Sequence, residues 1–184
     1  MMATWVWVFI IIAGSLFAIK MAYVLCTAMA LPTTQGALFV STSRARIRAF
    51  IKAVPMKTGE ILVDLGCGDG RILRQAHKCY RIKAIGYEVN LMAYLKARVL
   101  SLGFKNIEIR RRNFWSANLS EADVVVCYLY PDVMKKLAAK LKATLKPGAV
   151  IVSCNFRLPG FQPCRVLHPA GALHNDPVYI YRVG

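Results

Sequence analysis

The chain has 184 residues, with 25 Lys plus Arg against 9 Asp plus Glu and a formal charge of +16. Setting aside a greasy N-terminus, that length leaves one soluble domain with a single sizeable core, and its charge favours anionic lipid or nucleic acid as a partner surface. Six cysteines with no CxxC pair and three histidines with no ligand spacing argue against a metal site, and the cysteines read as reduced thiols of a cytosolic compartment.

Residues 3–31 carry one charge, Lys20. A span placed over residues 3–22 leaves Lys20 at its inner edge, where the stem can snorkel, with Trp5 and Trp7 at one interface and Tyr23 at the other. A cleaved signal peptide is the alternative, since Ala28-Met29-Ala30 has a small-x-small pattern. No Lys or Arg precedes position 20, however, and the apolar stretch is too long. Arg44, Arg46, Arg48, Lys52 and Lys57 follow the span, so a single-pass anchor with the domain on the cytoplasmic (or equivalent inner) side is expected. The organisation is thus an anchor over 1–31, a basic amphipathic neck over 32–59 and a domain over 60–184. In the neck, Ile47, Phe50, Ile51 and Val54 share one helical face, and Arg44, Arg48 and Lys52 share another. The basic stripe suits an anionic lipid surface; it equally suits an ordinary solvated helix.

From residue 60 short apolar runs alternate with amphipathic stretches, the pattern of an α/β parallel sheet. "ILVDL" (61–65) predicts a first strand and "RILRQAHK" (71–78) its helix, on which His77 reads as structural. "IKAIGYE" (82–88) predicts a second strand and "LMAYLKARVLSLG" a second helix closed by Gly103. "NIEIR" (106–110) is a third strand, and "ADVVVCYLY" (122–130) a central strand covered on both faces. A helix capped by Asp132, lined inwardly by Leu137, Leu141 and Leu145, ends at Pro147-Gly148. "AVIVSC" (149–154) makes a fifth strand. It passes without a helix to an antiparallel tail of "CRVLH" and "PVYIYRV" (177–183).

The turn between first strand and first helix, "VDLGCGDGRIL" (63–73), is the informative stretch. Gly66, Cys67, Gly68, Asp69 and Gly70 occupy the carboxyl end of a strand, where ligands of open parallel sheets sit. Glu88 ends the second strand 24 positions after Asp64, at the distance where a carboxylate accepts both hydroxyls of a ribose. A dinucleotide fingerprint is G-x-G-x-x-G and presents a helix N-terminus to pyrophosphate. Here the pattern is G-x-G-x-G, with Asp64 before it and Asp69 inside it. Two carboxylates repel a pyrophosphate and suit a ligand bearing an ammonium or sulfonium. S-adenosylmethionine (SAM) fits, with its ribose on Glu88 and its amino-acid portion near Asp64.

"VDLGCGDGRI" resembles the first motif of class I SAM-dependent methyltransferases, a resemblance that runs well over residues 60–155 and loosely over the tail. "FVSTS" (39–43), "GYEVN" (86–90), "YLYPDVMKKLAAKL" (128–141) and "FRLPG" (156–160), behind an apolar N-terminus, are similar to a narrower, membrane-anchored family. It includes the mitochondrial protein-lysine methyltransferases of ATP synthase c-subunit and adenine nucleotide translocase. The resemblance implies a Rossmann-like sheet, SAM as cofactor and a lysine of a membrane protein as target. Two positions depart from it. Asn113 stands where the family has an acidic residue; its carbonyl oxygen can still meet an adenine amino group, and neighbouring Phe114 joins the cofactor set. Ser43 stands where a proline often follows the Ser/Thr.

Methyl transfer to lysine needs positioning and a deprotonated amine, whose reference pKa of about 10.4 falls on desolvation. Tyr128, Tyr130 and Pro131, after the fourth strand, are the candidate catalytic residues: a dry aromatic slot whose faces favour sulfonium and ammonium. Packing on a helix is the structural alternative for Tyr130. Arg110, Arg111 and Arg112 with Phe114 and Trp115 keep RNA open as a target, though this slot is not the Asn-Pro-Pro-aromatic motif of enzymes acting on base or glutamine nitrogens. A lipid-soluble small molecule as substrate, or a tethered SAM-binding protein without catalysis, are the other readings.

Overall fold

The computed structural model describes residues 2–30, 42–169 and 176–184, with the backbone alone for 2, 3 and 26–30. Most of "FVSTS" (39–41) and His174 lie outside the described residues. Helix α1 (Met2–Ala30) is a single 29-residue rod, and its segment Thr4–Leu25 is long and apolar enough to cross a bilayer. Its described side chains are exposed, Trp5 and Phe9 by more than two-thirds, so α1 buries no core of its own.

The neck holds α2 (Arg44–Ala53), capped by the Ser43 side chain, which accepts from the Arg46 amide. Its apolar stripe is buried as the spacing predicts: Ile47, Phe50, Ile51 and Val54 join the core, while Arg44, Arg48 and Lys52 face solvent. The remaining elements are β1 (Ile61–Leu65), α3 (Arg71–Tyr80), β2 (Lys83–Tyr87), α4 (Leu91–Leu100), β3 (Ile107–Arg110), β4 (Val124–Cys127), α5 (Pro131–Thr144), β5 (Val150–Cys154), β6 (Arg165–Leu167) and β7 (Val178–Arg182).

The seven strands form one sheet in the order β3-β2-β1-β4-β5-β7-β6. Strands β1 to β5 are parallel, and β7 runs antiparallel to both β5 and β6. The tail is antiparallel as expected, β6 and β7 pairing with each other and β7 joining the parallel strands at β5. Alternation along the strands splits the core in two. Leu62, Val124, Val126 and Val152 pack under α2 and α3, while Val63, Leu65, Val125 and Ile151 pack with Leu137 and Leu141 of α5. The architecture is the expected Rossmann-like, mostly parallel α/β sheet with one apolar helix ahead of it.

Helix α5 starts two residues earlier than predicted. Tyr130 is its N-cap, Pro131 fills the first turn, where a missing N–H costs nothing, and Asp132 lies in that turn as a charge on the positive helix end. His77 is structural, as expected: its Nδ1 meets the Ile82 carbonyl at 2.8 Å and its ring stands edge-on to Phe104.

Candidate active site

Strand order reverses between β1 and β4, and the glycine turn leaves β1 at that switch point. Gly70, with φ of 73°, is the left-handed cap of α3; a side chain there would press on Arg74, Ala97 and Ser101. Gly86 on β2 supports the turn from below. A Cβ at Gly86 would come within 2.6 Å of Cys67 Sγ and of Leu73 Cδ1, so only glycine lets the turn settle on β2. The sequence reading missed that position because its cause lies in packing across strands.

Glu88 accepts from the Gly68 amide at 2.9 Å and from the Asn90 amide at 2.8 Å. Burial pushes its pKa up, with those two hydrogen bonds opposing. The contacts fix the carboxylate beside the glycine turn and leave lone pairs for hydroxyl donors. Asn90 in turn caps α4, accepting from the amides of Met92 and Ala93.

The two aspartates of the turn differ. Asp69 is clamped by Arg71, whose Nε and terminal nitrogen donate to its two oxygens at 2.9 and 2.7 Å. Burial alone would raise the Asp69 pKa; Arg71 outweighs it and holds the carboxyl below its ordinary value. Arg71 also donates to the Thr42 carbonyl at 3.2 Å, tying the turn to the segment before α2. The expectation of two free carboxylates facing a cation is therefore corrected to one, with Asp69 neutralised in place. Asp64 is the free one. It is buried, its Oδ2 has no hydrogen-bond partner, and burial, followed by the charges of Glu88 and Asp69, pushes its pKa to about 8. An orphaned buried carboxyl oxygen beside the turn suits a cationic ligand group. Cys67 lies buried within the turn, its thiol pushed well up by burial. It contributes packing and an amide bonded to the Tyr87 carbonyl.

Asn113 is exposed, and its Oδ1 already accepts from the Trp115 amide at 3.1 Å, capping a short 3₁₀ turn (Phe114–Ser116). It keeps one lone pair for an adenine amino group. Phe114 and Trp115 are half-buried, their ring centres 4.7 Å apart and their planes inclined at 41°, with Lys136 over the indole. Arg110 is engaged by Glu108 and by the Tyr87 hydroxyl, while Arg111 and Arg112 are exposed.

Beside the turn lies the exit of β4. The register pairs Leu65 with Cys127, so Tyr128, Leu129 and Tyr130 continue alongside Gly66, and Leu129 Cδ2 is 3.5 Å from where a Gly66 Cβ would stand. Tyr128 is half-buried, and Tyr130 and Pro131 are exposed at the rim. A residue unforeseen in the sequence controls this end. Arg46, buried on α2, places its guanidinium 5.4 Å from the Tyr128 ring centre and donates to Asp176 at 2.6 Å. One face of Tyr128 is thus covered by a cation. Asn155, at the end of β5 with φ of 73°, donates Nδ2–H to the Tyr128 hydroxyl at 3.5 Å. Its Oδ1 and the Arg46 Nε are buried without partners.

The sequence profile of the ANTKMT methyltransferase domain matches residues 64–165, more than half of the chain. The chain belongs to the ANTKMT methyltransferase family. A protein-lysine N-methyltransferase of Saccharolobus islandicus is 33% identical over 156 residues, covering 79% of this chain and 93% of that protein. The adenine nucleotide translocase lysine N-methyltransferase of Mus musculus is 33% identical over 148 residues, covering 79% of this chain but 62% of its own length. Among solved structures, an RNA methyltransferase from Salinibacter ruber in complex with S-adenosyl-L-homocysteine superposes with a TM-score of 0.72 at 30% identity, over 78% of this chain and 94% of that one. The cofactor of this methyltransferase is SAM, and the residues fit it: one unpaired buried carboxyl for a cation, and one carboxylate oriented beside the glycine turn for hydroxyls. Among the described residues no group of His, Cys, Asp and Glu could hold a metal ion.

Proposed function

We propose that this methyltransferase N-methylates a lysine of a membrane protein. The observation that carries the reading is the β1–β4 register, which sets the Tyr128-Leu129-Tyr130 rim directly beside the cofactor turn. When bound, SAM supplies a methyl group on a cationic sulfur, an electrophile open to in-line displacement. Asp64 takes the cationic amino-acid end, Glu88 takes the ribose, and Asn113 with Phe114 border the adenine. Gly66, Cys67, Gly68, Asp69 and Gly70 shape the turn, with Asp69 acting through Arg71. Tyr128 and Tyr130, with Pro131 stiffening the rim, orient the lysine amine and strip water from it, which lowers the pKa it must lose a proton against. The names of the archaeal and mouse relatives support lysine as acceptor.

The same reading makes α1 a single-pass anchor with the domain on the inner side, and brings the Arg44, Arg48 and Lys52 stripe towards anionic lipid. The test uses membranes lacking endogenous enzyme, the full chain and methyl-labelled SAM. Label should appear in a membrane protein as methyl-lysine and vanish with Tyr128→Ala. Label in RNA or in extractable lipid would replace the proposal with one of its rivals; the similarity to the Salinibacter ruber RNA methyltransferase makes RNA the first of these to check.

A further inference from the structure

Helix α4 is amphipathic the wrong way round for a helix that lies on a sheet. Only its small residues face inward: Ala93, Ala97 and Ser101, spaced by four, are buried. Its large residues point out. Leu95, Val99 and Leu102, at i, i+4 and i+7, form an outward stripe, with Val99 63% and Leu102 75% exposed. Leu100 is exposed beside them. Outside α1, the large hydrophobic side chains exposed among the described residues are these four, Tyr130 and Val166. Scattered apolar residues on a surface mean little, but four within one turn-and-a-half of helix and its exit make a patch.

Two further observations say what covers it. First, α1 lies against α4, and the stripe stays exposed with α1 in place. The apolar rod and the apolar stripe are therefore neighbours. Second, the stretch between Glu88 and Glu108 contains no acid, while Lys96, Arg98 and Lys105 are exposed around the stripe. An apolar ridge with exposed cations beside it matches the interfacial layer of an anionic bilayer, where leucines enter the acyl boundary and cations meet headgroups.

We propose that the outward face of α4 is a second membrane contact of this chain, in which Leu95, Val99 and Leu102 enter the interfacial layer beside the anchor. The proposal rests on the reading of α1 as a span. It adds orientation to it: a single helix leaves a tethered domain free to tumble, whereas a second contact fixes which side faces the lipid. Helix α4 starts three residues after Glu88, and Lys96 reaches to 3.9 Å from Asp69 of the glycine turn. Docking through this helix therefore sets the height and tilt of the cofactor turn over the bilayer.

The experiment uses the full chain in vesicles of phosphatidylcholine and phosphatidylglycerol, with a benzophenone amino acid placed singly at Val99, Leu102, Phe9 or Glu121. Irradiation should give covalent lipid adducts at Val99, Leu102 and Phe9, and none at exposed Glu121. Adducts at Phe9 without adducts at Val99 and Leu102 overturn the α4 contact while keeping the anchor. No adduct at Phe9 overturns the anchor reading and this proposal with it. Cross-links from Leu102 to a second copy or to a target protein, in place of lipid, also overturn it. As an independent measurement, the triple variant Leu95→Gln, Val99→Gln, Leu102→Gln should bind SAM as the parent does and keep its melting temperature. It should lose methyl transfer to membranes severalfold; unchanged transfer refutes the orienting role.

Discussion

The two halves of the site are built differently. Around the cofactor turn, the carboxylates find their partners nearby, with one longer tie from Arg71 to the Thr42 carbonyl: Arg71 holds Asp69 from two positions away, and Glu88 meets Gly68 from twenty. Around Tyr128, the ties are remote. Arg46 of α2 bonds Asp176, 130 positions later, and Asn155 reaches Tyr128 from 27 away. The first half is a property of the sheet core; the second is assembled from the neck helix, the β5 exit and the tail. Cofactor binding should therefore survive changes that abolish transfer.

The largest expected effect is on the cofactor side. Glu88→Ala removes a charged hydrogen-bonding partner, a loss of about 2–3 kcal/mol, or roughly 30- to 150-fold in SAM affinity by calorimetry. Glu88→Gln, which keeps an acceptor for the Gly68 amide, should fall between. An unchanged Kd in both would mean that the ribose is held elsewhere.

On the other side, Tyr128→Ala should leave the Kd for SAM unchanged and reduce turnover roughly a hundredfold through lost positioning. Equal loss of binding and turnover would mean the two halves are one unit, since the Arg46 and Asn155 contacts would then be supporting the turn itself.

Asp64 offers a test by pH. Its folded pKa of about 8 lies above the ordinary carboxyl value, so between the two the folded state holds a proton that the unfolded state has released. The stability it contributes is complete below the ordinary value and is lost as pH rises through about 8. Without SAM, the melting temperature should fall from pH 6 to pH 9 more steeply than in Asp64→Asn. A cationic ligand favours the ionised carboxylate, so SAM binding at pH 7 should release a proton, seen as a buffer-dependent heat. Asp64→Asn should abolish that release and weaken binding about tenfold, a neutral amide replacing a charged partner.

The same division explains what the sequence disclosed. Strands were legible because β1, β2, β4 and β5 alternate or run apolar in register-length pieces, and the turn because Asp64, the glycines and Glu88 stand at spacings set by one βαβ unit. Residues 128–130 read as strand and are not, because β1, the partner of β4, ends at Leu65 and gives way to the glycine turn. Arg46 read as one more neck cation; nothing local marks it as the buried arginine, since its partners Tyr128 and Asp176 come from distant segments. Asn155 was silent for the same reason, and Arg71 was hidden by standing two places after the acid it neutralises.

The smallest expected effect concerns the other neck cations. On α2, Ile47, Phe50 and Ile51 face the core, and Arg44, Arg48 and Lys52 face out. Replacing those three with Gln leaves the core and the turn untouched, so the Kd for SAM should not move. Each cation near an anionic surface contributes about 1 kcal/mol. With α1 still in the bilayer, that energy orients the domain more than it retains it, so transfer to membranes should drop only severalfold. Salt should erase the difference, because headgroup attraction decays within a Debye length of about 8 Å at physiological ionic strength. If the triple variant methylates membranes normally and loses transfer to RNA instead, the stripe serves nucleic acid, and the Tyr128 rim faces a base nitrogen in place of a lysine.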